Sequence, residues 1–321
     1  MAEQYIYAVA RIRSKELSLL NEAVISQLSA AATEEDCRRI LSEKGWGNPD
    51  LPSEEMFQEE NRKTWELIRE LVPNRMQIFD VFRLENDYHN LKAAIKESCI
   101  DGTHPGIYAE DGTIPAADLE TAMRESDYEA LPESMRDVAR EAKETLLQTR
   151  DGQLCDVIID RAALEAIRKA GEATGEPLLK DYGELVCATG DIRVAVRSAR
   201  TGKTRQFLDQ ALAPCRTLDA AALAEAAAAG EEAVIAYLDH TPYADAVDEL
   251  KASVASFERW CDNRMIETIR PQIHNPFGIG PIAAYILARA NEIKTVRIIL
   301  AAKRNSLPEE MLRERVRVMY V

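Results

Sequence analysis

Two short sequence patterns each occur three times in this 321-residue chain. One is an apolar residue followed by Glu-x-Ile-Arg, and the other is a polar, an apolar and a basic residue in succession. Their closing basic residues are Arg69, Arg168 and Arg270 for the first pattern and Lys92, Arg193 and Lys294 for the second. The intervals are 99 and 102 residues for the first pattern, and 101 and 101 for the second. A repeat of this length predicts three similar domains, because a solenoid repeat is far shorter.

The pattern within each repeat is that of helices. Around the second pattern of the first repeat, apolar residues lie at i, i+4, i+7 and i+11, namely Leu84, Tyr88, Leu91 and Ile95. This spacing follows one face of a helix. The one β-branched run, Val157-Ile158-Ile159, is flanked by acids and followed by a helical pattern. We therefore predict an all-α fold of three helical bundles, residues 1–105, 106–213 and 214–321.

Composition excludes several classes of protein. The formal charge of −15 argues against a dedicated nucleic-acid-binding protein, although the stretch from Arg289 to Val321 is basic. The six cysteines are scattered without a CxxC pair, which favours reduced thiols over disulfides or a zinc site. The sequence has no signal-peptide pattern and no run of 18 apolar residues, so we expect no membrane-spanning segment.

A search for catalytic chemistry finds one weak motif. Thr201-Gly202-Lys203-Thr204 resembles the end of a phosphate-binding loop, but Arg197 stands where the first glycine belongs. A helical pattern also runs into the motif where a strand would be required, so we interpret it as a turn that ends a helix. The four histidines do not cluster. We therefore predict no catalytic, cofactor-binding or metal-binding residues and a protein that is not an enzyme.

Both ends of the chain and the repeats together resemble a known family. The segments that carry the resemblance are Tyr7-Ala8-Val9-Ala10-Arg11-Ile12-Arg13, Asn86-Asp87-Tyr88-His89-Asn90-Leu91-Lys92, Asp191-Ile192-Arg193, Ala284-Tyr285-Ile286-Leu287, Glu292-Ile293-Lys294-Thr295-Val296-Arg297-Ile298-Ile299 and Arg313-Glu314-Arg315-Val316-Arg317-Val318-Met319-Tyr320-Val321. This set resembles the C subunit of bacterial and archaeal V/A-type ATPases, whose eukaryotic counterpart is the d subunit. Asp191 departs from the pattern, which has Asn at this place, as at Asn90.

The resemblance implies a funnel of three helical bundles around a pseudo-threefold axis. It implies a place on the cytoplasmic face of the membrane, where the protein joins the central shaft to the ring of proteolipid subunits. It would transmit torque for coupled proton or sodium transport without an active site or cofactor. A helical adaptor unrelated to ATPases, and a nucleotide-binding enzyme that uses Thr201–Thr204, are the alternative interpretations.

Two sets of basic residues are candidates for specific roles. Lys92, Arg193 and Lys294 are expected at equivalent places in the three repeats. The basic residues near the two ends are candidates for a partner interface, namely Arg11, Arg13, Arg313, Arg315 and Arg317. They either form ion pairs with the acidic middle of the chain, from Glu110 to Glu144, or bind an acidic or carbonyl-rich surface of the ring or the shaft.

Overall fold

The structure, a computed structural model, describes residues 5–47, 52–99 and 106–321. All regular secondary structure within these ranges is helical and none is strand, which confirms the all-α prediction. The predicted domain boundary at residue 105 lies outside the described residues.

The described residues form α-helices and short 3₁₀ helices in succession. The α-helices are α1 (Ile6–Glu16), α2 (Glu22–Ala30), α3 (Glu34–Glu43), α4 (Ser53–Leu71), α5 (Leu84–Ser98), α6 (Ala116–Glu125), α7 (Glu133–Thr149), α8 (Gly152–Ala173), α9 (Pro177–Arg200), α10 (Arg205–Ala211), α11 (Ala220–Ala229), α12 (Glu231–Leu238), α13 (Val247–Ala252), α14 (Val254–Ile269), α15 (Gly280–Arg304) and α16 (Glu309–Arg313). Short 3₁₀ helices span Pro73–Phe82, Tyr128–Ala130, Ala244–Ala246 and Arg270–His274.

Local capping explains several of these boundaries. The Thr33 hydroxyl oxygen accepts a hydrogen bond from the N–H of Asp36 at 3.1 Å and caps α3, whose first turn is rich in acidic residues. Pro308 directly precedes α16, which begins with Glu309 and Glu310. Val157-Ile158-Ile159 lies within α8, because its apolar side chains follow the helical period of their neighbours.

The chain forms two compact units. The terminal unit combines Met1–Met76 with Asp245–Val321, and the middle unit is Gln77–Ala244. The division into three repeats at residues 105 and 213 stays a prediction.

The core of the terminal unit forms around α15. This 25-residue helix is buried along most of its length and packs against α1, α2, α3, α4, α14 and α16. Its Val296, Ile299 and Leu300 lie in one apolar cluster with residues such as Trp46 and Phe57. The predominance of apolar side chains on several faces of α15 is what a helix surrounded by other helices requires.

One buried ionic group lies beside this core. Arg289 of α15 binds Glu60 of α4, with 2.6 Å between Nη2 and Oε2, and also pairs with Glu292. The guanidinium lies 5.1 Å from the ring centre of Trp46. The second oxygen of Glu292 accepts a hydrogen bond from the N–H of Leu20. These contacts join three separate segments of the terminal unit, and removing one charged partner would leave another charge buried without compensation.

The middle unit contains two groups of helices joined by α8. The helices α5, α6, α7 and α8 enclose an apolar cluster that includes Leu91, Leu119 and Ile159. The helix α9 packs along α8 and against α10, α11 and α12. The backbones of α8 and α9 approach so closely that a Cβ at Gly171 would lie 2.3 Å from the carbonyl oxygen of Leu179.

Candidate functional site

Lys92 and Lys294, basic residues of the second repeated pattern, each join two neighbouring helices. Lys92 of α5 pairs with Asp160 of α8. Lys294 of α15 pairs with Asp262 of α14, with 2.7 Å between Nζ and Oδ2. Arg193 is half-buried on α9. Lys92 and Lys294 therefore hold pairs of helices together within their units.

Polar side chains on α5, α9 and α15 also bind the main chain of distant segments. The amide of Asn90 on α5 accepts the N–H of Ala109 at 2.7 Å and donates to its carbonyl oxygen at 2.9 Å. Asp191 on α9 accepts the N–H of Ala213 at 2.9 Å. Asn291 on α15 donates to the carbonyl oxygen of Val318 at 3.0 Å. Sequence reasoning singled out the first two positions, but their partners are 19 and 22 residues away and carry no side-chain signal.

The two arginines of α1 differ in their surroundings. Arg13 is half-buried and donates to the carbonyl oxygen of Asn275 at 2.7 Å, while its other nitrogen lies 2.6 Å from Glu16. Arg11 lies 4.0 Å from the exposed carboxylate of Glu70 and remains more accessible. Arg13 therefore fixes α1 to the segment before α15, whereas Arg11 is available at the surface.

The arginines near the end of the chain also separate into buried and exposed groups. Arg317 is buried and its Nε donates to Asp262 Oδ2 at 2.8 Å. Arg313 is exposed and pairs with Glu309 one helical turn earlier, at 2.6 Å. Arg315 is half-buried and lines a cleft of about 350 Å³ between α14 and α15. Of the three, Arg317 is the one whose charge is held within the fold.

Large apolar side chains are exposed at both ends of α1. Ile6 and Tyr7 at its start are 48% and 66% exposed, and Leu17, which directly follows the helix, is 89% exposed. The inner face of the same helix, with Val9 and Ile12, is buried in the terminal unit. Exposed apolar side chains at the two ends of an anchored helix are available for contact with another protein. We refer to Ile6, Tyr7 and Leu17 as the α1 apolar face.

A cleft of about 490 Å³ opens beside α1 in the terminal unit. Its charged lining residues are Arg11, Lys15, Lys44, Lys63, Arg289, Glu60, Glu66 and Glu70. Two of the five cationic groups are neutralised by lining carboxylates, because Arg289 binds Glu60 at 2.6 Å and Arg11 lies 4.0 Å from Glu70. Lys63 is itself held by Glu60, at 2.7 Å.

The segment Thr201–Thr204 is a turn between two helices, as the sequence indicated. The helix α9 ends at Arg200, and Gly202 adopts a left-handed conformation with a φ of 63°. The Thr204 hydroxyl then caps α10 by accepting the N–H of Phe207 at 3.2 Å. Lys203 donates to Gln153 of α8 at 2.6 Å. A phosphate-binding loop connects a strand to a helix, so this geometry argues against nucleotide binding here.

One cluster in the middle unit was missed by sequence reasoning. Cys187 and Asp191 of α9 meet Cys215, and a ligand atom of each lies within 4.8 Å of the others. All three side chains are buried or half-buried, and the cysteines form no disulfide. Burial raises the pKa of Asp191 to about 8, while a hydrogen bond with the thiol of Cys187 lowers the pKa of Cys215. The signal in the sequence was the i, i+4 spacing of Cys187 and Asp191.

No helix in the described ranges combines the length with the apolar character needed to cross a membrane.

Comparison with known proteins identifies relatives along nearly the whole chain. The C subunit of the V-type sodium ATPase of Enterococcus hirae is 24% identical over 319 residues, which cover 96% of this chain and 97% of that protein. The C subunit of the V-type ATP synthase of Thermus thermophilus is 25% identical over 342 residues, covering 98% and 99%. The C subunit of the A-type ATP synthase of Methanocaldococcus jannaschii is 22% identical, covering 96% and 85%.

The family model described as ATP synthase (C/AC39) subunit matches residues 8–315. This range includes all three copies of both repeated patterns and the basic residues Arg11, Arg13, Arg313 and Arg315. The chain therefore belongs to the ATP synthase (C/AC39) subunit family, whose members are non-catalytic stalk subunits.

Proposed function

We propose that this chain is the central-stalk subunit that connects the rotor shaft of a V/A-type ATPase to its membrane-embedded proteolipid ring. It binds at the cytoplasmic face of the ring and transmits torque between the shaft and the ring during coupled proton or sodium transport. Family membership supports this proposal and excludes an adaptor unrelated to ATPases. One of the relatives is named as a subunit of a sodium ATPase and another as a subunit of an ATP synthase. The proposal therefore includes both ion pumping driven by ATP and ATP synthesis driven by ion flow.

The α1 apolar face carries this proposal. A subunit that joins two other parts of a machine needs a surface that is exposed in isolation and covered after assembly. Ile6 and Tyr7 at the start of α1 and Leu17 directly after its end are large exposed apolar side chains, and the inner face of α1 is anchored in the core. Burying such side chains at an interface contributes about 1.5–3 kcal/mol each before the costs of association.

A torque-transmitting part also needs rigid attachment of its surface helices. The helix α1 is fastened by Arg13 to the carbonyl oxygen of Asn275 and packs along α15. The buried group of Arg289, Glu60 and Glu292 joins α15 to α4. Force applied at the α1 apolar face is therefore transferred to the most buried helix of the terminal unit.

The internal triplication is part of the same proposal. Asn90 of α5, Asp191 of α9 and Glu292 of α15 occupy the polar position of the second repeated pattern, and each accepts a main-chain N–H from a segment distant in the sequence, at Ala109, Ala213 and Leu20. This shared arrangement supports a common origin for the three repeats. We infer that residues 1–105, 106–213 and 214–321 are three copies of one helical bundle.

The basic residues near the two ends supplement the α1 apolar face as an interface. The accessible members of the set are Arg11, Arg313 and Arg315, and they supply the contact with an acidic or carbonyl-rich partner surface in this proposal. Arg13 and Arg317 contribute mainly by holding α1 and the last residues of the chain in place. The basic set thus combines anchoring residues and contact residues.

Photochemical cross-linking in assembled complexes tests the proposed partners. A photoreactive phenylalanine analogue would replace Tyr7 on the α1 apolar face, and the same analogue at Leu147 of α7 would serve as the control. Leu147 is also an exposed apolar residue, 59% accessible, but lies in the middle unit. The adducts formed in native membranes would be identified by mass spectrometry.

We expect the Tyr7 position to cross-link to a proteolipid or shaft subunit, with a much lower yield from the control position. An adduct to a protein outside the ATPase, or no adduct to either of these partners, would contradict the proposed role of the α1 apolar face.

A further inference from the structure

Three potential metal-binding side chains meet in the middle unit, and a fourth, Glu184, lies one helical turn away. Glu184, Cys187 and Asp191 are spaced i, i+3 and i+7, so they lie along one face of α9. Cys215 approaches this face from the segment between α10 and α11. The ligand atoms of Cys187, Asp191 and Cys215 lie within 4.8 Å of one another. Two thiols and a carboxylate thus surround one point.

The carboxylate of Asp191 is incompletely satisfied. The side chain is fully buried, with 0% exposure. Its Oδ1 accepts the N–H of Ala213 at 2.9 Å, but no donor in the described part of the chain reaches Oδ2. A buried acceptor without a partner costs about 1–3 kcal/mol. The position therefore has an unmet requirement for a proton or a cation.

The carboxylate of Glu184 likewise has hydrogen-bond donors at one oxygen and none in the described residues at the other. Its Oε1 accepts the N–H groups of Arg216 and Thr217 at 2.8 and 2.6 Å, and also the Thr217 hydroxyl. Its Oε2 is buried, and within the described residues no donor contacts it. The negative charge of Glu184 also disfavours ionisation of both cysteines. A second unpaired carboxylate oxygen therefore lies near the two thiols.

Asn90 shows what an amide achieves in a similar position. On α5 it both accepts from the N–H of Ala109 and donates to its carbonyl oxygen, so both polar atoms have partners. Asp191 keeps the acceptor and lacks the amide donor. The chain thus has a carboxylate where an amide would satisfy the main chain. The hydrogen bond with Ala213 alone therefore does not explain why this position carries a carboxylate.

The surrounding charges do not neutralise the cluster. Arg161 is the cation that acts on Asp191, but its Nε donates to Glu165 at 3.0 Å and its Nη1 to the carbonyl oxygen of Asp209. Glu165 opposes its effect. Two thiolates and two carboxylates together would repel one another strongly in a buried site. The groups must retain protons or share a multivalent cation.

We propose that Cys187, Asp191 and Cys215 bind a divalent cation of the zinc class, with Glu184 as the fourth ligand. Thiolate sulfur favours Zn²⁺ over Mg²⁺ or Ca²⁺, and carboxylate oxygen is a poor ligand for the softer Cu⁺. Zinc requires about 2.3 Å to sulfur and about 2.0–2.2 Å to oxygen, so the side chains must close slightly around the ion. Four protein ligands form a closed site, the kind that stabilises a fold.

Binding replaces protons by the metal. The S–H bonds of Cys187 and Cys215 break, their protons pass to solvent, and each sulfur forms a bond to the cation. The contact of the Cys215 thiol with the carbonyl oxygen of Leu218, 3.8 Å long, is given up. The carboxylate oxygens Oδ2 of Asp191 and Oε2 of Glu184 gain the partner that they lack. The site then cross-links the segment around Cys215 to α9.

Cobalt titration of the untagged, reduced and metal-stripped full chain tests this site. We expect one equivalent of Co²⁺ to bind with the near-ultraviolet absorption of thiolate-to-cobalt charge transfer, and Zn²⁺ to displace it. The thermal midpoint of unfolding should rise with either metal, because the metal binds the folded chain. Cys215→Ser and Cys187→Ser should each weaken or abolish this absorption.

Two further variants separate binding from folding. Asp191→Asn keeps an acceptor for Ala213 and should stay folded, with at least a tenfold loss of cobalt affinity. Cys99→Ser, on a half-buried cysteine at the end of α5, should bind like the unmodified chain.

The proposal is overturned if the folded, reduced chain takes up no cobalt. It is also overturned if Asp191→Asn binds cobalt normally, if cobalt binds without the thiolate absorption, or if that absorption survives both cysteine substitutions. A Cys187–Cys215 disulfide in freshly purified protein that takes up no metal after reduction would likewise contradict it.

Discussion

At the scale of single residues, the arginines near the end of the chain differ in burial and therefore in their contribution to stability. Arg317 is 6% exposed and pairs with Asp262 of α14, which also pairs with Lys294 of α15. Arg313 is 73% exposed and pairs with Glu309 on its own helix. A buried pair is costly to break because the remaining charge stays desolvated, whereas an exposed pair contributes little.

Charge reversal at these two positions should therefore change the free energy of unfolding by very different amounts. Arg317→Glu places a carboxylate against Asp262 and should lower the free energy of unfolding by about 3–5 kcal/mol. Arg313→Glu should change it by less than about 1 kcal/mol. Urea unfolding of the isolated chain measures both. Equal stability of the two variants would contradict the anchoring role of Arg317.

The ion pair of Glu34 with Arg304 should make the free energy of unfolding depend on pH. The guanidinium of Arg304 binds it through two hydrogen bonds of 2.9 and 2.8 Å and lowers its pKa from 4.5 to about 2, with a further contribution from Ser53. Because the folded pKa lies below the unfolded one, the folded state binds fewer protons in this range. The resulting stabilisation is present above the unfolded pKa and is lost as the pH falls through the folded pKa.

Glu34→Gln removes this contribution. Between about pH 5 and about pH 3, the unmodified chain should lose more unfolding free energy than the variant, by about 1 kcal/mol after allowance for the solvent exposure of Arg304. Urea unfolding at several pH values measures the difference. Glu309→Gln, which alters an exposed carboxylate on α16, is the matched control and should follow the unmodified chain. Parallel pH profiles for Glu34→Gln and the unmodified chain would show that the pair with Arg304 has no effect.

At the scale of elements, helical period and capping residues predicted most of what is observed. Tyr88, Leu91 and Ile95 are buried on one face of α5, as their spacing indicated. Contacts between residues distant in the sequence were not predictable in the same way. Hydrogen bonds to the main chain of Ala109 and Ala213 require no particular side chain there, so their sequence gives no signal. The meeting of Cys187 and Cys215 depends on the path of the chain between them.

The close packing of α8 and α9 depends on small residues. Gly171→Ala would place Cβ 2.3 Å from the carbonyl oxygen of Leu179, so the two helices must separate. We expect a loss of about 1–3 kcal/mol from this overpacking, although alanine favours a helix by about 1 kcal/mol over glycine.

Gly152→Ala provides the control for this substitution. Gly152 begins α8, and a Cβ there meets no atom within 4 Å. The control should be neutral or slightly more stable in urea unfolding. If Gly171→Ala were as stable as Gly152→Ala, the close approach of α8 and α9 would not require a glycine at position 171.

At the scale of the whole molecule, the repeat gave the most information about function. The all-α class followed from helical patterns, and the family followed from the order and spacing of short motifs along the chain. The α1 apolar face was not anticipated, because Ile6, Tyr7, Val9 and Ile12 are all apolar in sequence. Only the packed structure distinguishes the buried members from the exposed ones.

Reconstitution from purified parts tests the linking role most directly. The proteolipid ring of the same organism would be immobilised in detergent, and retention of the shaft subunits measured with and without this chain. We predict that the shaft is retained only when the full chain is present, and that Leu17→Asp on the α1 apolar face reduces retention at least tenfold while the variant stays folded. Equal retention of the shaft without the chain, or failure of the folded chain to bind the ring, would contradict its role as the linker.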